Sequence, residues 1–130
     1  MPLERIVLSA KARDQLITLK RRTGIENWNV LCRWAFCVSL REKNPLPDAN
    51  HPSDSNLEMS WKTFGGELSD VYWALTKQKC IQDGIDPRNE DAVAHQFRLH
   101  LHRGIRYLAA GTTGSGKTIQ TVADLIKLAC

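Results

Sequence analysis

The sequence predicts a mainly α-helical, small single domain whose N-terminal part runs strand-helix-helix and whose C-terminal part is helical. Three observations predict it. The chain has 130 residues, 42% hydrophobic and 25% charged, which suits one domain with its own core and not two. A short β-prone run at residues 4–9 is followed at once by two segments with apolar residues at helical spacing. The rest offers further helical segments with cap and stop residues, and no strand-helix-strand alternation.

The first run, Glu4 to Ser9, alternates, with Ile6 and Leu8 on one face and Arg5, Val7 and Ser9 on the other. Ser9 is placed to cap a helix from Ala10 to Arg22 with Ala12, Leu16 and Leu19 inward and Gly24 as its stop. Asn27 is the expected cap of a second helix, Trp28 to Glu42, whose stripe is Trp28, Leu31, Cys32, Ala35, Phe36 and Leu40. Residues 44–56 hold three of the five prolines and read as an irregular surface connection. Leu57 to Phe64 alternates well enough to be extended, and Gly65-Gly66 breaks it. Glu67 to Asp83 reads as a helix burying Leu68, Val71, Tyr72 and Leu75 and ended by Gly84. A last helix starts near Asn89, with Glu90 and Asp91 in its first turn, carries Val93, Phe97 and Leu101 inward, and reaches Gly104 or beyond. The organisation is thus one domain over 1–130: a basic part at 1–43, the connection at 44–56, a mostly helical body at 57–110 and a tail at 111–130.

Charge is distributed unevenly. Residues 1–43 carry nine Lys or Arg against four acids, whereas residues 44–130 carry nine against ten. The excess positive charge of the first third points to a polyanion, most simply nucleic acid. No apolar run approaches the roughly 20 residues that span a bilayer. The start of the chain lacks the features of a signal peptide, so a cytoplasmic location is expected.

Strand-helix-helix is the order of a ribbon-helix-helix unit, in which strands of two subunits pair into a ribbon that enters the major groove. The second helix can then present its free N–H groups to a phosphate. The residues expected to meet DNA are Arg5, Lys11, Arg13, Lys20, Arg21, Arg22, Asn27 and Arg33. Arg5 is the sole strong base-reading side chain on the outer strand face, so phosphate contacts and salt-sensitive, weakly sequence-specific binding are expected.

Gly111 to Thr118 matches the Walker A pattern at every fixed position. Such glycines let backbone N–H groups wrap phosphate, with a lysine for terminal oxygens and a threonine for magnesium. Ile105 to Ala110 is apolar enough for the preceding strand, and Ile119 to Leu128 suits the following helix. A P-loop enzyme also needs a parallel sheet and an acid on a second strand, and the chain offers neither. The expectation is therefore a tail loop with no catalytic role, whose Gly114, Gly116, Lys117 and Thr118 remain candidates for holding phosphate. The competing reading is a nucleotide-binding switch or NTPase built on the same residues.

His95, His100 and His102 lie among Arg98, Arg103 and Arg106. Without a carboxylate or thiol at zinc spacing, they read as surface or helix-end histidines that add to a second basic patch. Cys32, Cys37, Cys80 and Cys130 have neither redox nor zinc spacing and read as plain thiols. No catalytic residue, metal or cofactor is expected.

Several stretches resemble the DndE family: residues 8–16 (Leu-Ser-Ala-Lys-Ala-Arg-Asp-Gln-Leu), 19–25 (Leu-Lys-Arg-Arg-Thr-Gly-Ile), 64–68 (Phe-Gly-Gly-Glu-Leu) and 99–109. The most specific is Trp-Asn-Val-Leu-Cys-Arg-Trp-Ala-Phe-Cys-Val-Ser-Leu at 28–40. The resemblance covers about residues 5–110. It implies a place in the system that replaces a non-bridging phosphate oxygen of DNA with sulfur, beside a cysteine desulfurase, an iron–sulfur protein and an ATPase. It further implies a non-enzymatic homotetramer that prefers nicked double-stranded DNA and works with the other proteins of that system.

Overall fold

The computed structural model describes residues 4–111. In order these form strand β1 (Arg5–Val7), helices α1 (Ala10–Thr23) and α2 (Trp28–Arg41), strand β2 (Glu58–Ser60), helix α3 (Trp61–Gly65), a 3-10 turn (Gly66–Leu68), and helices α4 (Ser69–Gln82) and α5 (Glu90–Ala110). The molecule is mainly helical, and its N-terminal part has the expected strand-helix-helix order.

Local chemistry sets the helix ends. The Ser9 hydroxyl accepts from the Ala12 N–H, and Gly24 closes α1 at φ 76°, a left-handed conformation that glycine adopts without a Cβ penalty. The Asn89 side chain caps α5 by accepting from the Ala92 N–H. Asn27 occupies the N-cap position of α2, yet its side chain makes no capping hydrogen bond.

The core forms where α2 crosses α5, the most extensive contact in the fold. Gly104 makes that crossing close, since a Cβ there would lie 1.7 Å from the Ala35 carbonyl oxygen. Around it the rings pack edge to face: Phe36 and Phe64 have centroids 5.9 Å apart, Trp61 and Phe97 4.9 Å, and Trp61 and Trp73 5.7 Å. Leu8, Leu16, Leu31, Leu101 and Ile105 complete this interior with no exposed surface.

Four expectations change. The strand expected over 57–64 ends at Ser60, because the Ser60 hydroxyl accepts from the Thr63 N–H and starts α3. Strand β1 pairs antiparallel with β2 of the same chain, Arg5 opposite Ser60 and Val7 opposite Glu58, so its partner strand lies 50 residues downstream rather than in a second subunit. Helix α4 is rotated from the expected face: Trp73, Thr76 and Cys80 are buried, while Leu68, Val71 and Leu75 are 56%, 49% and 42% exposed. The bulk of Trp73 against Trp61 decides this rotation, and Thr76 tolerates burial because its hydroxyl donates to the Tyr72 carbonyl. Finally, Ile105 to Ala110 is the last part of α5, not a strand, and Gly111 closes that helix at φ 78°.

Candidate nucleic-acid interface

Helix α1 buries Ala12, Leu16 and Leu19, so its remaining circumference faces outward. Lys11 and Arg21 are exposed there, with no ion pair to a described residue. Lys20 is half-buried, its ammonium 4.4 Å above the Trp28 ring, a cation–π contact that fixes the side chain without neutralising it. Lys20, Arg21 and Arg22 also end α1, where they offset the helix dipole. Asn27 is exposed at the start of α2. The Val30 and Leu31 N–H groups return to the Asn27 carbonyl, as in any first turn.

The other expected contacts have internal work. Arg5 hydrogen-bonds to both carboxylate oxygens of Glu58 across the two-stranded sheet, a bond that raises its pKa further. Arg13 reaches the Asn56 side chain at 3.4 Å and pairs with Asp14. Arg22 donates to the carbonyls of Leu108 and Ala109 and so closes the C-terminus of α5. Arg33 donates to the carbonyls of Thr63 and Phe64, fastening α3 to α2. Of the eight residues, Lys11, Lys20, Arg21 and Asn27 are therefore the ones left to face a ligand.

Of the second basic patch Arg106 stays exposed, 5.4 Å from the centroid of the Tyr107 ring, whereas the other two arginines have internal work. Arg98 donates to the carbonyls of Val7, His51 and Pro52 and to the Ser53 hydroxyl. Arg103 is buried and donates to Ser39 Oγ, the Ser39 carbonyl and the Asn44 carbonyl. Burial lowers the pKa of both guanidinium groups, which stay charged because the ordinary value is so high. His95 is exposed and 3.2 Å from Asp48. His100 and His102, expected at the surface, are buried. His102 Nδ1 donates to the Arg98 carbonyl and Nε2 accepts from the Ser9 N–H, so the ring is held neutral. His51 stacks on it at 4.2 Å. Burial first, then neighbouring cations, push the pKa of His100 down to about 4; burial does the same for His102. His100 follows Val93 and Phe97 at helical spacing, a signal of the inward face; for His102 nothing in the sequence points to the connection at 44–56, whose His51 packs on it.

Among the described residues no group of three or more His, Cys, Asp or Glu side chains is arranged to hold a metal ion. Cys32 and Cys80 are buried free thiols and Cys37 is partly covered; burial raises the pKa of all three, which makes them poor nucleophiles. Cys130 lies outside the described residues, as do Gly114, Gly116, Lys117 and Thr118. The helical state of Ile105 to Ala110 removes the strand that a P-loop requires before it. Among the described residues no helix is long and apolar enough to cross a membrane.

Comparison with known proteins converges on one family. The family model for DndE, DNA sulphur modification protein, matches residues 5–114. The fold is similar to the crystal structure of DndE from Escherichia coli B7A, which is involved in DNA phosphorothioation modification, with a TM-score of 0.65 and 26% identity over 82% of this chain and 96% of that one. A mutant DndE involved in DNA phosphorothioation shares the fold at a TM-score of 0.62, with 24% identity over 82% of this chain and 97% of that one. None of the curated proteins compared with the chain matches it. With the model covering nearly the whole described fold, the chain belongs to the DndE family of DNA sulphur modification proteins.

Proposed function

We propose that this protein is a non-enzymatic DNA-binding component of the phosphorothioation system, working in the cytoplasm as a homotetramer that prefers nicked double-stranded DNA. The observation that carries the reading is the outer face of α1. On that face Lys11, Lys20 and Arg21 have no carboxylate partner and no backbone carbonyl to hold them among the described residues. Three cations per subunit bind phosphate weakly; repetition in an oligomer multiplies them on one duplex. A nick makes duplex easier to bend, and a multivalent basic surface gains contacts from bent DNA.

Self-association has a suitable surface. Leu68, Val71, Leu75, Gln78 and Gln82 recur at alternating three- and four-residue spacing along the outer side of α4, the spacing with which one helix packs along another. Ile81 beside them is 54% exposed. This stripe carries no charge, which suits a second copy of the chain and not a polyanion.

The reading is tested by binding to intact, nicked and single-stranded DNA at several salt concentrations. Tightest binding to nicked duplex, weakening steeply with salt, is expected. Equal, salt-insensitive binding to all three would remove it. Titration of ATP with magnesium into the wild type and Lys117→Ala addresses the nucleotide-switch alternative. No tight nucleotide binding is expected; tight binding lost in the variant would establish that alternative.

A further inference from the structure

A polar cleft of about 360 Å3 lies on the side of the molecule formed by residues 43–46 after α2, the last turn of α4 with the residues after it, and the middle of α5. This size falls within the range of small-ligand sites. Its charged lining comprises Lys43, Lys79 and Arg103 against the single carboxylate of Asp83, an excess of two positive charges. Asp83 is 4.0 Å from Lys79 and well exposed, so that pair is loose. The nearby Glu42 carboxylate accepts from the N–H groups of Lys43 and Asn44.

The floor of the cleft is built rather than incidental. Arg103 Nε donates to Ser39 Oγ at 2.8 Å, so the Ser39 hydroxyl keeps its own proton for His100 Nδ1, also at 2.8 Å. Accepting at Nδ1, the neutral His100 ring carries its proton on Nε2. His100 is 99% buried and lines the cleft. Among the described residues the one fully enclosed polar side-chain atom without a partner is Trp61 Nε1. His100 Nε2, which has no hydrogen-bond partner among the described residues, therefore opens into the cleft. Arg103 spends three of its five N–H groups on Ser39 and Asn44. The result is a set of donors, two flexible ammonium groups above a fixed imidazole N–H and guanidinium edge, with the Gln96 amide at the side.

We propose that this cleft binds a phosphate monoester. Three lining cations against Asp83, with the Glu42 carboxylate also acting on Arg103, leave the cleft positive and favour an anion. Donors spread around a hollow suit a tetrahedral group better than a planar one. Recession adds selectivity, because a diester flanked by sugar on both sides does not reach His100 at the floor. Two sources share this chemistry: a free phosphate and the phosphorylated end of a DNA strand at a nick. Assigning the strand end as source rests on the DNA-binding reading above; the cleft's affinity for inorganic phosphate does not.

The test uses the full chain and two probes. Inorganic phosphate is titrated calorimetrically into the wild type, the double variant Lys43→Gln, Lys79→Gln, and His100→Ala, with thermal unfolding as a control of folding. The same proteins are assayed on duplexes whose nick carries a 5′-phosphate or a 5′-hydroxyl. Saturable phosphate binding that falls tenfold or more in the folded double variant is expected. A preference of about tenfold for the phosphorylated nick, lost in that variant, would identify the strand end as source. Phosphate binding with no end preference would support the site with free phosphate as its ligand. The proposal is overturned by undetectable phosphate binding together with equal affinity for both nicks, or by binding that the double variant leaves unchanged. Failure of all DNA binding with phosphate binding intact would count against the DNA reading alone.

Discussion

Helix α1 carries five Lys or Arg and α5 three Arg, and the two helices use them differently. On α1, Lys11 and Arg21 project outward and Lys20 rests on Trp28. On α5, Arg98 and Arg103 turn inward and spend their N–H groups on backbone carbonyls of the connection at 44–56, of β1 and of α2. The difference lies in what each helix faces. A proline-rich connection with no ladder of its own leaves carbonyl oxygens that need donors when covered, and arginine supplies several from one side chain. Charge in the sequence therefore marks a ligand surface only where the fold has no orphaned carbonyls to satisfy.

The largest expected effect breaks the packing that lets α5 reach α2. Gly104→Ala drives a Cβ into the Ala35 carbonyl, and backbone cannot step aside as a side chain can. A loss of about 3 kcal/mol in denaturant unfolding is expected, with loss of the Arg103 contacts to Ser39. A neutral substitution would mean that the crossing is wider than described.

Acid should release the inner region before the outer one. His100 and His102 are held neutral, with folded pKa values of about 4 against an ordinary value near 6.5. The unfolded chain then binds more protons than the folded one between these values, so stability falls as pH drops from about 6.5 toward 4. The loss approaches roughly 3 kcal/mol per imidazole at the acid end. Unfolding midpoints measured between pH 7.5 and 4.5 check this, and His102→Gln should flatten the profile. A profile that is flat in the wild type would contradict the buried neutral pair.

Single arginine replacements sharpen the contrast between the helices. Arg103→Met removes three hydrogen bonds from buried acceptors and is expected to cost about 2 kcal/mol. Arg21→Met, at an exposed position, is expected to stay within about 0.5 kcal/mol of the wild type. Equal costs would erase the distinction. On α4, Leu75→Glu should convert the proposed oligomer to smaller species by light scattering, with little change in the helix content of each subunit. An unchanged mass would move self-association to another face.

Much of this architecture is legible in the residues. Ser9, Gly24 and Asn89 mark their helix ends because a cap is a local device of a few residues. Ala12, Leu16 and Leu19 fall inward as their spacing requires. The face of α4 is different, since Val71 with Leu75 and Trp73 with Cys80 offer two apolar stripes on one helix. Only a tertiary neighbour, Trp61, chooses between them. Both short strands fall within runs read as extended, but their pairing is illegible for a related reason: β1 and β2 are three residues each and meet across 50 residues of chain. The apolar run at 105–110 suits strand and helix alike, and continuation of the α5 hydrogen bonds settles it. For the interface, sequence yields the basic third of the chain but not which cations are already engaged. Arg22 and Arg33 differ from Arg21 only through carbonyls of distant segments.

The central claim is that the outer face of α1 meets DNA while Arg98 and Arg103 of α5 hold the fold. The most direct measurement is the salt dependence of binding to nicked duplex for the wild type and a Lys11→Gln, Lys20→Gln, Arg21→Gln variant. Each lost phosphate contact lowers the slope of log K against log salt by about 0.9. A drop of about 2 to 3 in that slope, with unfolding stability retained, is the predicted result. An unchanged slope and affinity in a folded variant would contradict the account.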